Sequence, residues 1–306
     1  MKILSIGEVL WDVFPDAEKL GGAPFNFSYH AHRLGHEVLF LSAVGDDRRG
    51  RAVIEQATAM GLSTEFIRRA EAPTGAVTVE LDAAGKPTFT IHRPAAYDLL
   101  RLSEDDFETI TRWRPDWIAF GTLHQMAPSI RALLQRLIES NPGARRLYDI
   151  NLRKESYTPE LIAGLLPLAN VVKLNDDEVV EMERMFPPSA GSLEAFCRSW
   201  SARYNWEAVC VTLGARGCAV LVGGAFAEVP GYKVEVVDTV GSGDAFTAAF
   251  LHGMCEKWPP ERIGDFANRL GALVASRAGA VPAWTLEECS FGDRLRDPET
   301  RSFGIT

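Results

Sequence analysis

Cysteine is scarce in this chain, and its pattern offers no pairing: Cys197, Cys210, Cys218, Cys255 and Cys289 are five in 306 residues, with no Cys-x-x-Cys. Neither a disulfide framework nor a zinc knuckle is indicated, and the thiols are expected to be reduced and mostly buried. No run of about 18 apolar residues occurs, which excludes a hydrophobic membrane-spanning helix. The N-terminal Met1-Lys-Ile-Leu-Ser-Ile-Gly-Glu8 lacks the apolar core and cleavage site of a secretory signal, so a cytoplasmic location is expected. Positive charge is also in deficit. Lys and Arg number 32 against 41 Asp and Glu, a net −9. That balance argues against a nucleic-acid or anionic-membrane surface, so any anion must be caught by local groups. Internal repeats and low-complexity linkers are missing too. What remains, 46% hydrophobic content over 306 residues, is ample for a core and implies one large domain spanning 1–306.

Apolar runs bounded by turn residues fall at Ile3 to Gly7, Val38 to Val44, Trp117 to Gly121, Leu147 to Asn151, Val171 to Leu174 and Ala208 to Leu213. Helix-period stretches separate them: Pro24 to Leu34, Arg49 to Met60, Ser129 to Ser140 and Asp176 to Met185. The alternation predicts an α/β fold with a mostly parallel sheet and helices on both faces. Ligands of such sheets sit beyond the carboxyl ends of the strands. One segment departs from the pattern. Thr74 to Leu81, a turn at Asp82 to Lys86, and Pro87 to Arg93 read as a two-stranded antiparallel excursion. It is either an ordinary edge hairpin or a lid that keeps water from an active site.

The most informative string is Asp238-Thr-Val-Gly241-Ser242-Gly243-Asp244-Ala-Phe246, a glycine-rich turn running into an apolar helix. Backbone N–H groups at Gly241, Ser242 and Gly243, with the helix dipole, form a hole for anionic charge. A carboxylate in that first turn would repel an anion unless Asp244 removes a proton from an attacking hydroxyl. Anion hole plus base points to small-molecule phosphoryl transfer.

The same string resembles the C-terminal signature of the ribokinase-like (PfkB) carbohydrate kinases, Asp-Thr-x-Gly-Ala-Gly-Asp, with Ser242 in place of the usual Ala. The likeness extends over about residues 3 to 285. It implies a ribokinase-like fold with a small antiparallel lid formed from about 12–24 and 74–98, ATP and magnesium as cofactors, and a sugar as acceptor. Asp12, Gly22 and Asn26, in Gly7-Glu8-Val-Leu-Trp-Asp12 and Gly21-Gly22-Ala-Pro-Phe-Asn26, match the family's sugar-binding elements in order and spacing. Arg93 in the lid and Arg153 in Asp149-Ile-Asn151-Leu-Arg153 resemble fructokinase segments, where an arginine fork suits oxyanions.

Asn175 and Glu178 resemble the Asn-x-x-Glu motif, in which the carboxylate organises water and magnesium; alone, the pair also reads as a capping box. Thr212, Gly214 and Gly217 are expected along the nucleotide phosphates, and Asn268 near adenine or ribose, unless it is merely exposed on an amphipathic helix. Asp238, Val240, Ala275, Ala278 and Ala280 resemble a monovalent-cation loop, implying that potassium activates.

The resemblance favours a fructokinase, with ribokinase, ketodeoxygluconate kinase, nucleoside kinase or a non-catalytic sugar-binding relative as alternatives. A dinucleotide-binding dehydrogenase is disfavoured because Phe246 stands where a third glycine belongs, and a P-loop enzyme because no Gly-x-x-x-x-Gly-Lys-Ser/Thr occurs. His30, His32 and His36 are not read as a metal site, since Gly35 is expected to end their helix. A homodimer paired through the lid edge is expected.

Overall fold

The computed structural model describes residues 1–81 and 87–289. The turn expected at Asp82 to Lys86 and the polar tail holding Arg294, Asp297, Pro298 and Arg301 lie outside the described residues. The chain divides into two compact units, residues 1–146 with 153–157, and 147–152 with the chain from Thr158 onward.

Unit 1 runs β1 (Lys2–Ile6), β2 (Leu10–Val13), β3 (Glu18–Gly21), α1 (Ala23–Arg33), β4 (Glu37–Gly45), α2 (Arg48–Ala59), β5 (Ile67–Ala70), β6 (Gly75–Leu81), β7 (Pro87–Ile91), α3 (Glu104–Trp113), β8 (Trp117–Gly121) and α4 (Pro128–Ser140). Its main sheet is parallel, ordered β8-β1-β4-β5. All five residues of β8 are buried, as a strand covered on both faces requires. α1 starts on Gly22 with Pro24 in its first turn and ends at Gly35, whose φ of 86° lets the His36 N–H return to the Ala31 carbonyl. The helix end expected at Gly35 is therefore observed.

The excursion is larger than a hairpin. Four strands pair in the order β3-β2-β6-β7, and β2 runs parallel to β6 with Leu10 opposite Gly75. Asp47, the N-cap of α2, clamps its base by accepting from Gly50 N, Thr74 N and Thr74 Oγ1. Burial opposes the charge on Asp47, but those hydrogen bonds prevail and its carboxyl is held below the usual range.

Unit 2 continues with β9 (Arg145–Asp149, in this unit from Leu147), α5 (Pro159–Leu165), β10 (Val171–Asn175), α6 (Asp176–Met185), α7 (Leu193–Tyr204), β11 (Ala208–Thr212), β12 (Gly217–Val222), β13 (Ala225–Pro230), α8 (Ser242–Cys255), α9 (Pro260–Ala275) and α10 (Leu286–Cys289). β9, β10 and β11 are parallel, and β12 and β13 close this sheet antiparallel. α8 is almost wholly apolar after its first turn and buries Ala245 through Leu251. α9 packs beside it, and a Cβ on Gly271 of α9 would lie 3.3 Å from the Ser242 carbonyl. Cys197, Cys210, Cys218 and Cys289 are buried and unbridged, as expected.

β9 stops at Asp149, two residues short of the expected strand, because Asn151 adopts a left-handed φ of 38° and turns the chain. No helix among the described residues is long and apolar enough to cross a membrane.

Candidate active site

In unit 2 the glycine-rich turn lies where the sequence places it. Gly241 is the N-cap of α8 at φ 79°, and a side chain there would overlap the Ala280 carbonyl. Of the N–H groups assigned to the anion hole, that of Ser242 turns back to the Thr239 carbonyl at 3.3 Å, which corrects the expectation of three outward donors. The Ser242 hydroxyl donates to the same carbonyl at 2.8 Å. It thus braces the turn and does not compete for an anion. Gly243 and Asp244 follow as the second and third helical residues, whose N–H groups have no acceptor inside the helix.

Beneath this turn lies a buried ionic network. Lys173 of β10 stands opposite Asp149 of β9 in register, and its Nζ is 3.2 and 3.3 Å from the two carboxylate oxygens. The Thr247 hydroxyl of α8 lies 3.2 Å from Asp149 Oδ2 and 2.8 Å from the Gly243 carbonyl, so two acceptors share its proton. Burial opposes the Lys173 charge, but Asp149, Glu178 and Asp244 outweigh it and raise the pKa of the ammonium.

None of Asp149, Lys173 and Thr247 was assigned a role from sequence. The signal was nonetheless present: a lysine inside the apolar strand Val171-Val-Lys173-Leu has to be paired.

Asn175 and Glu178 form the capping box of α6. Asn175 Oδ1 accepts from Glu178 N and Glu178 Oε2 from Asn175 N, each at 2.8 Å. Glu178 Oε1 also accepts from Leu152 N at 2.7 Å. Burial raises the pKa of this carboxyl. With both oxygens on backbone donors, Glu178 suits an indirect contact to magnesium through water, the role the resemblance implies.

Gly214 and Gly217 flank the turn from β11 to β12 with φ of 59° and 108°, and a Cβ on Gly217 would overlap the Val229 carbonyl. Thr212 sits at the end of β11, half-buried. Asn268 is not exposed on its helix. It is buried, and its Nδ2 donates to the carbonyls of Val229 and Pro230 at 3.1 and 3.2 Å, tying α9 to the end of β13.

The two cation-loop segments do meet. Asp238 accepts from Val240 N and Gly279 N, and Gly241 packs on Ala280. Ala275 is corrected: its carbonyl accepts from both Val237 and Asp238, so it braces the loop. Ala278 lies exposed just beyond it.

Unit 1 holds the residues matched to sugar binding. Asp12 of β2 lies against Gly21, where a Cβ would stand 3.0 Å from its Oδ2. Gly22 has φ 109°, and a Cβ would come 2.6 Å from the Glu8 carbonyl, so only glycine permits this approach. Asn26 is buried in the first turn of α1. Arg93 is not the ready oxyanion fork expected. Nη1 donates to the Leu123 carbonyl at 2.7 Å and Nη2 to Asp98 Oδ1 at 2.6 Å, so it mainly frames the site. Arg153 is exposed in the segment after β9.

Sequence reading missed three side chains of unit 1. Gln125 Oε1 and Nε2, Tyr97 Oη and His124 Nδ1 are buried without a hydrogen-bond partner among the described residues. His124 Nε2 lies 2.7 Å from the Tyr97 carbonyl, which can only accept, so this nitrogen carries the proton and Nδ1 presents a lone pair. Burial, with Arg93 nearby, pushes the His124 pKa down to about 4 and keeps the ring neutral. Buried polar atoms are rarely left unpaired, so these donors and acceptors are suited to a hydroxyl-rich ligand. The available signal was His124-Gln125 following directly on the carboxyl end of β8.

Comparison with known proteins agrees with this chemistry. The family model described as pfkB family carbohydrate kinase matches residues 3–286. The chain is similar to a fructokinase of Salmonella typhimurium, 31% identical with 92% of this chain and 95% of that one covered. It is also similar to fructokinase-1 of rice, 29% identical with 93% and 95% covered. Among solved structures, the Xylella fastidiosa fructokinase with bound ATP superposes with a TM-score of 0.82 at 26% identity, covering 94% of this chain and 96% of that one.

Proposed function

Since the chain belongs to the pfkB family of carbohydrate kinases, and is therefore a phosphotransferase acting on a sugar, we propose that it moves the γ-phosphoryl of ATP to a primary hydroxyl of D-fructose, giving fructose 6-phosphate. The observation that carries the reading is Asp244 in the first turn of α8, behind the Gly241 turn and above the Lys173–Asp149 pair.

In this mechanism Asp12, Asn26 and the buried polar atoms of Tyr97, His124 and Gln125 orient the sugar, with Gly22 allowing its close approach. Asp244 takes the proton of the attacking hydroxyl. The N–H groups of Gly243 and Asp244, aligned with the α8 dipole, lower the energy of the charge that develops on the transferring group. Thr212, Gly214 and Gly217 line the nucleotide phosphates, and Asn175 fixes Glu178. Glu178 is the residue that would hold magnesium, through water, and the ion would supply positive charge to offset that of the phosphates. The carbonyls of Val240, Ala278 and Ala280, with Asp238, are the groups that fit a potassium ion. Such an ion would stiffen the turn that bears the anion hole.

The chain thus acts as one cytoplasmic kinase domain with the β3-β2-β6-β7 sheet as its lid. Phe89 on the edge strand β7 is 56% exposed, which supports pairing of two copies through that edge; a monomer in light scattering at micromolar concentration refutes the dimer. The test of function is ADP release from ATP and magnesium with fructose, ribose, ketodeoxygluconate, adenosine and glucose, each with and without potassium. Turnover confined to fructose upholds the reading. Turnover on another sugar corrects the substrate, and silence with all five removes the kinase assignment to this panel.

A further inference from the structure

Lys173 occupies a place that ordinary electrostatics disfavours. A Cβ built on Gly243 would lie 3.8 Å from its Nζ, so the ammonium sits beneath the N-terminal turn of α8. That end of a helix already carries partial positive charge. The side chain is only 7% exposed, so water does not relieve the repulsion. Anions must hold the cation there.

Asp149 supplies one from β9, and Thr247 links that carboxylate to α8. Glu178 of α6 is a second but is fastened to the Asn175 and Leu152 amides. Cys210, opposite Lys173 on β11, stays a neutral thiol because burial raises its pKa. α9 meets the first turn of α8 at Gly271, which has no side chain, and its Arg269 and Asp265 pair with each other. Asp244 is the remaining carboxylate that interacts with Lys173.

We propose that Lys173 is a positioning residue for the reaction, its ammonium fixed by Asp149 beneath the first turn of α8 so that it orients the Asp244 carboxylate at the mouth of the helix. This rests on the kinase reading only for the use made of Asp244. The hold of Lys173 on Asp244 is a property of the resting protein, so it is tested without substrate.

The experiment follows the side-chain carboxyl of Asp244 by ¹³C NMR across pH, assigned with Asp244→Asn, in wild type and Lys173→Met. The combined variant Lys173→Met with Asp149→Asn removes both buried charges, so the comparison survives if Lys173→Met alone does not fold. The Asp244 midpoint is expected to rise by about one pH unit or more in the variant, because a carboxylate has lost its neighbouring cation. With the sugar that turns over, the acid limb of kcat should move in the same direction while the KM for ATP stays within about twofold.

An unmoved Asp244 midpoint in folded variants overturns the proposal. So does a raised KM for ATP with the acid limb in place, which would make Lys173 a phosphate contact. A shifted midpoint in a protein that turns over no sugar removes the kinase reading and leaves the Lys173–Asp244 coupling standing.

Discussion

The polar interiors of the two units are finished to different degrees. In unit 2 the buried charges have partners from the protein itself: Lys173 with Asp149, and Glu178 with the Asn175 and Leu152 amides. In unit 1, Gln125, Tyr97 and His124 bury polar atoms with no hydrogen-bond partner among the described residues. The difference fits the two jobs proposed for them. Charge that develops during phosphoryl transfer is best met by groups already fixed in place, whereas a sugar brings hydroxyls able to complete hydrogen bonds left open for it.

Four measurements break or sharpen this contrast, in decreasing order of effect. Asp244→Asn removes the proposed base at the finished end, and turnover should fall by about 10²- to 10⁴-fold with sugar binding retained in calorimetry; unchanged turnover refutes base catalysis. Asp149→Ala leaves the Lys173 ammonium buried without its closest partner, and should cost about 3 kcal/mol in chemical denaturation. A loss under 1 kcal/mol would mean that the network is not the rigid element described.

The unit 1 interior is expected to respond to acid. The His124 pKa falls to about 4 in the fold from an ordinary value of 6.5, so its neutral form is what the fold accommodates. The unfolded chain then takes up the proton first as pH drops. The stability at stake is fully present above pH 6.5 and is lost progressively toward pH 4. Between pH 7 and pH 5 this amounts to about 2 kcal/mol, read as a wild-type urea midpoint shift that His124→Phe does not share.

Gln125→Leu should have the smallest and most selective effect. The KM for the sugar rises about tenfold while the KM for ATP and the melting temperature hold or improve, because an unpaired buried amide has been removed. A fall in melting temperature would show that Gln125 serves the fold.

The helix over 176–185 and the strand over 117–121 were legible to the residue, because apolar period and capping chemistry act within a few positions. The small sheet was legible from residue pattern only as two strands, with the segment over about 12–24 joined to it by the family resemblance. Its parallel pairing of Leu10 with Gly75 joins segments far apart in the chain, and nothing local to either announces the other. At the site, the turn at 241–244 and the asparagine cap at 175 could be read from residue type. Asn268, Arg93 and Ala275 could not, because a side-chain amide, a guanidinium or a carbonyl serves a ligand and a neighbouring backbone equally well. Only the position of that backbone decides. The Lys173–Asp149 pair stands between these cases: the need for a partner was visible, the partner was not.

The packing of Gly241 on the Ala280 carbonyl has a consequence for how this protein can change over time. Residues 238–241 and 275–280 constrain each other, since adding a side chain at 241 would displace the chain at Ala280. Variation should therefore enter these two segments together or not at all, while Gly143 and Gly164, where a Cβ would meet nothing and φ is not positive, are free to drift.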